Sequence, residues 1–306
     1  MCSPDVMAQV QATIERDSRR SGIRRRDLFG AAGLAALGAL AAPRVAAAAP
    51  VSISGTVVDL THTLTPDFPV WPGNPQFAMR PVARIGGIGS VDAGSVGSGS
   101  VDTGSLGSAD PASGFAVNEL TYWEHTGTHL DAPAHKIVGG ATAEVLPVAD
   151  FVAPVVVVDI AAKAGADADA VLTVADLQDW ESAHGRIPAR ALVAMYSGWE
   201  ARLAVPGAFA NLDALGVPHA PGFDPDAVDF LVAERDIVGI GVDTLSLDHA
   251  SSRDHGAHVA CLGAGRYGIE ALANLDTIPP VGATVVVGAP KHVAATGGPC
   301  RVLALL

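Results

Sequence analysis

The stretch His125-Thr-Gly-Thr-His129-Leu-Asp131-Ala-Pro-Ala-His135 places three histidines and one aspartate within eleven residues. Histidine binds divalent metals through a neutral imidazole nitrogen, and aspartate binds them through its carboxylate oxygens. Gly127 and Pro133 disfavour a continuous helix here, because glycine is a poor helix former and proline lacks the backbone N–H donor. The stretch therefore predicts a strand end and a tight loop whose side chains converge on a metal.

Other catalytic arrangements fit this spacing less well. A zincin helix requires glutamate directly after the first histidine, whereas Thr126 follows His125. A metallo-β-lactamase-like site would place its first two histidines two residues apart, and here they are four apart. A serine triad would need a Gly-x-Ser-x-Gly turn, which the sequence lacks. Histidines that bind no metal are the simplest alternative, but three of the ten histidines in so short a run favour a metal site.

The first 49 residues have the order of regions found in an export signal. Three arginines, Arg24 to Arg26, precede Leu28 and Phe29, and an apolar Ala/Leu/Gly run and a small-residue region follow. The paired arginines resemble a twin-arginine signal, with cleavage expected between residues 46 and 49. A membrane anchor is less favoured, because the apolar run is short and rich in alanine and glycine. We expect an exported chain, periplasmic or extracellular, without stable membrane insertion after cleavage.

The charge of the mature chain restricts its partners. The signal contains seven of the 19 Lys and Arg residues and four of the 32 acidic residues, so its removal changes the formal charge from −13 to −16. Such a surface disfavours nucleic acids and anionic membranes, but it does not identify a substrate. Cys261 and Cys300 remain, and they could pair in an oxidising compartment. Two unpaired, buried thiols are the favoured interpretation.

Residues 50–306 show no clear domain boundary, and strands alternate with short helices along them. This pattern predicts a single α/β or α+β domain. Strands are expected at 53–60, 115–123, 152–160, 191–196, 237–242, 284–288 and 301–306, and helices at 174–184, 226–235 and 267–275. The proline-rich segment 61–75 predicts a rigid, irregular loop that presents Trp71. Residues 86–114 are Gly/Ser-rich and nearly repeat a ten-residue unit, which predicts a flexible insertion.

The whole pattern resembles the metal-dependent cyclase family, which includes bacterial kynurenine formamidases and related cyclic-amide hydrolases. The run from His125 to His135 follows the family's His-x-Gly-Thr-His-x-Asp-x-Pro-x-His motif. Further matching segments are Val58–Leu64, Trp71–Pro75, Gly239–Asp248, His258, Gly268–Leu275 and Gly297–Arg301. The resemblance covers about residues 55 to 306 and implies a mixed-sheet or barrel-like core with surrounding helices, of the swivelling β/β/α type.

The resemblance also implies roles for individual residues. His125, His129 and Asp131 would bind one metal, and Asp131 would bridge to a second site formed with His258 and Glu270. His258 matches the family spacing to Glu270, with His255 as its rival. His135 would act as the acid/base residue. Trp71 is a candidate for stacking on an aromatic substrate, and a core or subunit-contact role for it is equally plausible.

The sequence thus predicts a hydrolase of a C–N bond in a small, possibly aromatic amide, formamide or lactam. Zinc suits three histidines with carboxylates, and a carboxylate-rich pair of sites also accepts manganese, with two ions expected per subunit. The resemblance implies a homo-oligomer, a dimer or tetramer. Two alternatives stay open at this point: a metal-dependent cyclase or dehydratase on the same site, and a non-catalytic metal-binding exported protein.

Overall fold

The computed structural model describes residues 55–83 and 115–306. The expected signal at 1–49 and the whole insertion expected at 86–114 lie outside the described residues, so both stay predictions. Among the described residues, none of the helices combines the length and apolar character needed to cross a membrane.

These residues form thirteen strands and four α-helices. The strands are β1 Val57–Asp59, β2 Ala78–Ala83, β3 Val117–Thr121, β4 His129–Asp131, β5 Val152–Asp159, β6 Val171–Leu172, β7 Leu192–Tyr196, β8 Gly222–Phe223, β9 Gly239–Val242, β10 Tyr267–Glu270, β11 Thr284–Gly288, β12 Gly297–Pro299 and β13 Arg301–Leu305. The helices are α1 Ala161–Ala166, α2 Val174–His184, α3 Pro225–Arg235 and α4 Gly256–Gly263. Short 3-10 turns, including Pro133–His135, connect several of them.

Nine strands form one curled, half-barrel sheet in the order β1-β13-β11-β5-β7-β9-β10-β4-β12. The central strands β5, β7, β9 and β10 run parallel, and the strands on either side of them pair antiparallel. The mixed α/β fold expected from the sequence is therefore confirmed. The strands β2 and β3 instead form a separate two-stranded ribbon.

The sheet is buried on both faces in its centre. Along β5, Val155 and Val157 pack into one hydrophobic cluster with Leu130 and Leu192. Their neighbours Val156 and Val158 point to the opposite face and pack with α2 and α3 residues in a second cluster. Successive side chains of a strand alternate between faces, so a sheet covered on both sides requires a continuous apolar run. The four consecutive valines of β5 supply that run.

Local sequence signals located several other elements correctly. The helix at Val174–His184 begins after Thr173, whose hydroxyl accepts from the Asp176 amide while the Asp176 carboxylate accepts from the Thr173 amide. This capping box satisfies amides that otherwise lack partners at a helix start. The strands predicted at 152–160, 191–196, 284–288 and 301–306 are present, with ends shifted by at most one residue.

The predicted helix at Tyr267–Leu275 is wrong. Tyr267–Glu270 is the buried strand β10, which pairs parallel with β9 and antiparallel with β4. A side chain at Gly268 would come within 2.5 Å of the Leu247 side chain, so glycine lets the strand lie close to the neighbouring loop. Pairing on both edges therefore outweighs the helix propensity of the Ala- and Leu-rich segment that follows.

Gly222 offers a test of how the loop after β9 is packed. A Cβ atom at this position would lie 2.0 Å from the carbonyl carbon of Asp248 and 2.1 Å from the amide nitrogen of His249. We expect Gly222→Ala to destabilise the protein by about 1–3 kcal/mol, because backbone atoms must move to accept the methyl group. Urea denaturation measures this loss. Gly165→Ala, where the methyl would meet nothing within 4 Å, is the control, and equal midpoints for the two variants would contradict the packing argument.

Candidate metal centre and active site

Strand β4 carries the centre of the site. It lies between β10 and β12, so residues distant in sequence face it. The pairing with β10 places Glu270 opposite His129, and the pairing with β12 places Gly297 opposite Asp131. The sheet therefore brings the first metal motif together with the predicted late ligand Glu270, which follows His129 by 141 positions in the sequence. Local sequence pattern does not reveal this pairing.

Asp131 is the common neighbour of the three candidate histidine ligands. Its Oδ1 lies 2.6 Å from His125 Nδ1 and 3.3 Å from His129 Nε2, and its Oδ2 lies 3.4 Å from His258 Nε2. The residue is fully buried. A buried carboxylate surrounded by imidazole nitrogens on both oxygens is suited to bridge two metal positions.

Glu270 closes the other side of the cluster. Its Oε1 lies 3.2 Å from His258 Nε2, and its Oε2 lies 3.4 Å from His129 Nε2. His258 therefore faces both carboxylates from helix α4. The ring of His255 lines the cavity above, with its centroid 6.1 Å from that of His258. The geometry favours His258 over His255 as the ligand.

Hydrogen bonds fix which ring nitrogen two of the histidines present. His129 Nδ1 lies 2.8 Å from the carbonyl oxygen of Gly127, so Nδ1 carries the proton and donates. His258 Nδ1 lies 2.5 Å from Asp248 Oδ2 and donates to that carboxylate. In the neutral form that binds a metal, an imidazole carries one ring proton, so both residues would then direct an Nε2 lone pair toward the acidic cluster.

The donor set fits a divalent cation. His129 Nε2 and Asp131 Oδ2 are buried atoms without a hydrogen-bond partner among the described residues. Buried polar atoms are rarely left unpaired, and two of them within one cluster of imidazoles and carboxylates indicate an ion site. Although burial opposes it, the hydrogen bond and charge of Asp131, with the charge of Glu270, raise the pKa of His129 to about 9. The cluster thus attracts positive charge.

The candidate ligand atoms form two overlapping groups. One group contains His125, His129 and Asp131, and the other contains Asp131, His135 and His258. The first group is the predicted one. Asp131 belongs to both groups, and the second group contains His135 where the prediction has Glu270.

His135 stands at the edge of the site. It ends the 3-10 turn Pro133–His135, and its ring centroid lies 3.7 Å from that of His125 and 5.9 Å from that of His258. The residue remains exposed to the cavity. Partial loss of water around the ring, together with the nearby histidines, lowers its pKa to about 4. Its ring is neutral at pH 7 and able to accept a proton.

A cavity of about 330 Å³, with aromatic side chains in its walls, opens above the cluster of candidate metal ligands. Trp71, predicted as a substrate-binding residue, lines it on the proline-rich loop, and Trp123 lines it two residues before His125. The sequence analysis missed Trp123, whose position directly before the metal motif was the available signal. The other apolar lining includes Val70 and Leu245. The cavity size is in the range of small-molecule sites.

Asp243 and Asp248, which follow β9, form hydrogen bonds with different parts of the structure. The carboxylate of Asp243 accepts from the amides of Ser197 and Trp199 and from the Ser197 hydroxyl, so it joins the ends of β7 and β9. Asp248 accepts from the amide of Ala257 and from both the amide and the ring of His258. Asp243 therefore satisfies backbone amides of a loop, whereas Asp248 orients the ring of the candidate ligand His258.

Replacement of Asp248 by asparagine is expected to weaken metal binding by about 10–100-fold. The carboxylate that accepts from His258 Nδ1 is replaced by an amide, which has one accepting oxygen and one donating NH₂ group. Competition with a fluorescent chelator measures the change. Asp254→Asn, at an exposed position of the same loop, is the matched control. Unchanged affinity in Asp248→Asn would show that His258 needs no such orientation.

Cys261 and Cys300 are both buried and unpaired. Burial raises the pKa of each thiol to about 12. The interpretation of these residues as small buried side chains is confirmed.

Comparison with known proteins gives consistent matches across this domain. The Cyclase family model, described as "putative cyclase", matches residues 58–249. An isatin hydrolase from Roseibium aggregatum is 34% identical over 260 residues, which cover 82% of this chain and 91% of that protein. A kynurenine formamidase from Salinibacter ruber is 26% identical over 224 residues, which cover 73% of this chain and 85% of that protein.

A solved structure extends the likeness to the fold. Isatin hydrolase A from Labrenzia aggregata, bound to benzyl benzoate, is 35% identical to this chain and superimposes with a TM-score of 0.68. The match covers 81% of this chain and 93% of that one. The family predicted from the His125–His135 run is confirmed, and the chain belongs to the cyclase family of metal-dependent hydrolases.

Proposed function

We propose that this chain hydrolyses the C–N bond of a small aromatic amide, with aromatic lactams as the preferred class. The observation that carries the proposal is the cluster of histidines and carboxylates at the floor of a cavity with tryptophans on its walls. The similarity to an isatin hydrolase supports a ring amide, since isatin is an aromatic lactam. The similarity to a kynurenine formamidase supports the same bond type in an open-chain formamide.

The cavity walls suit a flat aromatic substrate. Trp71 and Trp123 supply large apolar surfaces on two different segments, and aromatic rings gain from stacking on such surfaces. Leu245 and Val70 add aliphatic contact. A ring held among these side chains would direct its amide carbonyl toward the polar floor, where His129 and Glu270 lie.

The polar floor fits one or two divalent ions, zinc or manganese. His125, His129 and Asp131 would hold one ion, and Asp131, His258 and Glu270 would hold a second. An ion there would supply Lewis-acid stabilisation of the carbonyl oxygen and lower the pKa of water. The predicted ligands other than His125 are buried, which limits their contact with bulk solvent.

His135 is the residue placed to move a proton. It borders the cavity, and its neutral ring can accept the proton released when water attacks the carbonyl carbon. Transfer of that proton to the amide nitrogen allows the C–N bond to break with a neutral amine leaving. Hydrolysis of a lactam by this route yields a ring-opened amino carboxylate.

Metal analysis and a substrate panel test the proposal. The mature chain would be assayed with isatin, other aromatic lactams, N-formyl aromatic amines and cyclic imides, with ring opening followed by absorbance and mass spectrometry. We expect turnover of aromatic lactams that disappears on treatment with a chelator and returns with zinc or manganese. Failure of metal-replete protein to hydrolyse any panel member would refute amide hydrolysis, and loss of water from a hydroxy acid would instead indicate a dehydratase.

A further inference from the structure

His125 has a defined protein neighbour at each ring nitrogen. Its Nδ1 lies 2.6 Å from Asp131 Oδ1, and its Nε2 lies 3.0 Å from Thr296 Oγ1. Its side chain is only 20% exposed. The position of the ring proton is therefore determined by what these two oxygens can accept or donate.

The hydroxyl hydrogen of Thr296 is already used. Thr296 Oγ1 donates to Glu124 Oε2 at 2.5 Å, and the Thr296 amide donates to the same oxygen at 3.1 Å. An ionised carboxylate only accepts hydrogen bonds, so the hydroxyl hydrogen points at Glu124. The Thr296 oxygen can then only accept from His125, which requires the ring proton to be on Nε2.

In the neutral ring with its proton on Nε2, the Nδ1 atom of His125 carries a lone pair. That lone pair faces a carboxylate oxygen of Asp131 at 2.6 Å. Two acceptors at this distance repel each other unless a second ring proton or a metal ion lies between them, and a bound metal takes the place of that proton. The arrangement therefore matches a metal bound by His125 through Nδ1, whereas His129 and His258 direct Nε2 at the site.

We propose that Glu124 and Thr296 are positioning residues that fix the tautomer of His125, so that this ligand presents Nδ1 to the metal. The inference rests on the proposed metal-dependent function, because the fixed Nδ1 lone pair would bind the metal of that function. Neither residue belongs to the metal motif, and 172 positions separate them in sequence.

The sheet holds this arrangement in register with the metal ligands. The amide of Ala132 donates to the Thr296 carbonyl at 2.9 Å, which connects Thr296 to the strand that carries Asp131. The next residue, Gly297, pairs with Asp131, and a Cβ there would come within 2.8 Å of His125 Cε1. The His125 ring thus lies directly against the backbone of β12, and the Thr296 hydroxyl is kept at its edge.

Zinc affinity of the full mature chain tests the role of the hydroxyl. Thr296→Val keeps the shape and removes the hydroxyl, and we expect it to weaken zinc binding by about 10–100-fold in chelator competition. Thr296→Ser keeps the hydroxyl and is expected to bind zinc within about threefold of the wild type. Glu124→Ala, which frees the hydroxyl hydrogen, is expected to weaken binding in the same direction as Thr296→Val.

Nitrogen-15 NMR of the zinc-loaded wild-type protein reads the tautomer without any variant. We expect the His125 proton on Nε2 and metal coordination through Nδ1. A proton on Nδ1, or a folded Thr296→Val protein that binds zinc like the wild type, would overturn the inference. A chain that hydrolyses no amide but loses zinc affinity on Thr296→Val would refute the proposed function and leave this inference standing.

Discussion

Replacing Asp131 by asparagine is expected to remove the metal from the protein and to abolish amide hydrolysis. Asp131 is the one residue shared by both groups of candidate ligands among the described residues. Asparagine keeps the shape of the side chain but loses its charge, and its amide group would offer hydrogens to a site that needs lone pairs. We expect metal affinity to fall by more than about 100-fold, which exceeds the effect of losing a residue that only orients a ligand.

Metal content by mass spectrometry and turnover of the best panel substrate measure this loss. His292→Ala, which removes an exposed histidine, is the control and should retain wild-type metal and activity. Thermal unfolding in chelator separates metal loss from misfolding, because both proteins are then compared without metal. An Asp131→Asn protein that binds the wild-type amount of metal would show that Asp131 is not a ligand.

The metal motif could be predicted from the sequence because its parts are close together. His125 lies in the loop before β4, His129 and Asp131 lie on β4, and His135 ends the turn that follows, so their proximity follows from chain connectivity. The valine run of β5 and the capped start of α2 were equally local signals. Such features depend on neighbouring residues, and pattern alone identifies them.

The rest of the site depends on strand pairing, which local pattern does not encode. Glu270 lies opposite His129 because β10 pairs with β4, yet Ala- and Leu-rich sequence after Glu270 favours a helix. The family resemblance, and not the periodicity, identified Glu270 as a ligand. The Glu124–Thr296 contact is more distant still, since it requires β12 to lie beside β4 at the edge of the sheet.

Helix α4 is another element that the local sequence pattern does not predict. It spans only Gly256–Gly263, begins after His255 in a left-handed conformation and has glycine at both ends. Glycine lowers helix propensity, so this segment did not predict a helix. The apolar contacts of Ala257, Cys261 and Leu262 with the second cluster stabilise it instead. Tertiary packing thus positions His258.

Replacing His135 by alanine is expected to lower turnover by about 10²–10⁴-fold while metal remains bound, since removal of a general acid/base typically has an effect of this size. His135 borders the cavity on an exposed turn, whereas the predicted ligands His129 and Asp131 are buried. The substrate site should survive the change, so KM should vary far less than kcat.

Metal stoichiometry distinguishes this role from that of a ligand. The atoms of His135 lie near enough to Asp131 and His258 to form a metal group, so loss of metal in His135→Ala would identify it as a ligand. His129→Ala is the matched comparison, because it removes a buried imidazole and should lose metal and turnover together. A His135→Ala protein with both metal and turnover intact would require another proton carrier, and His255, which lines the same cavity, would be the next residue to replace.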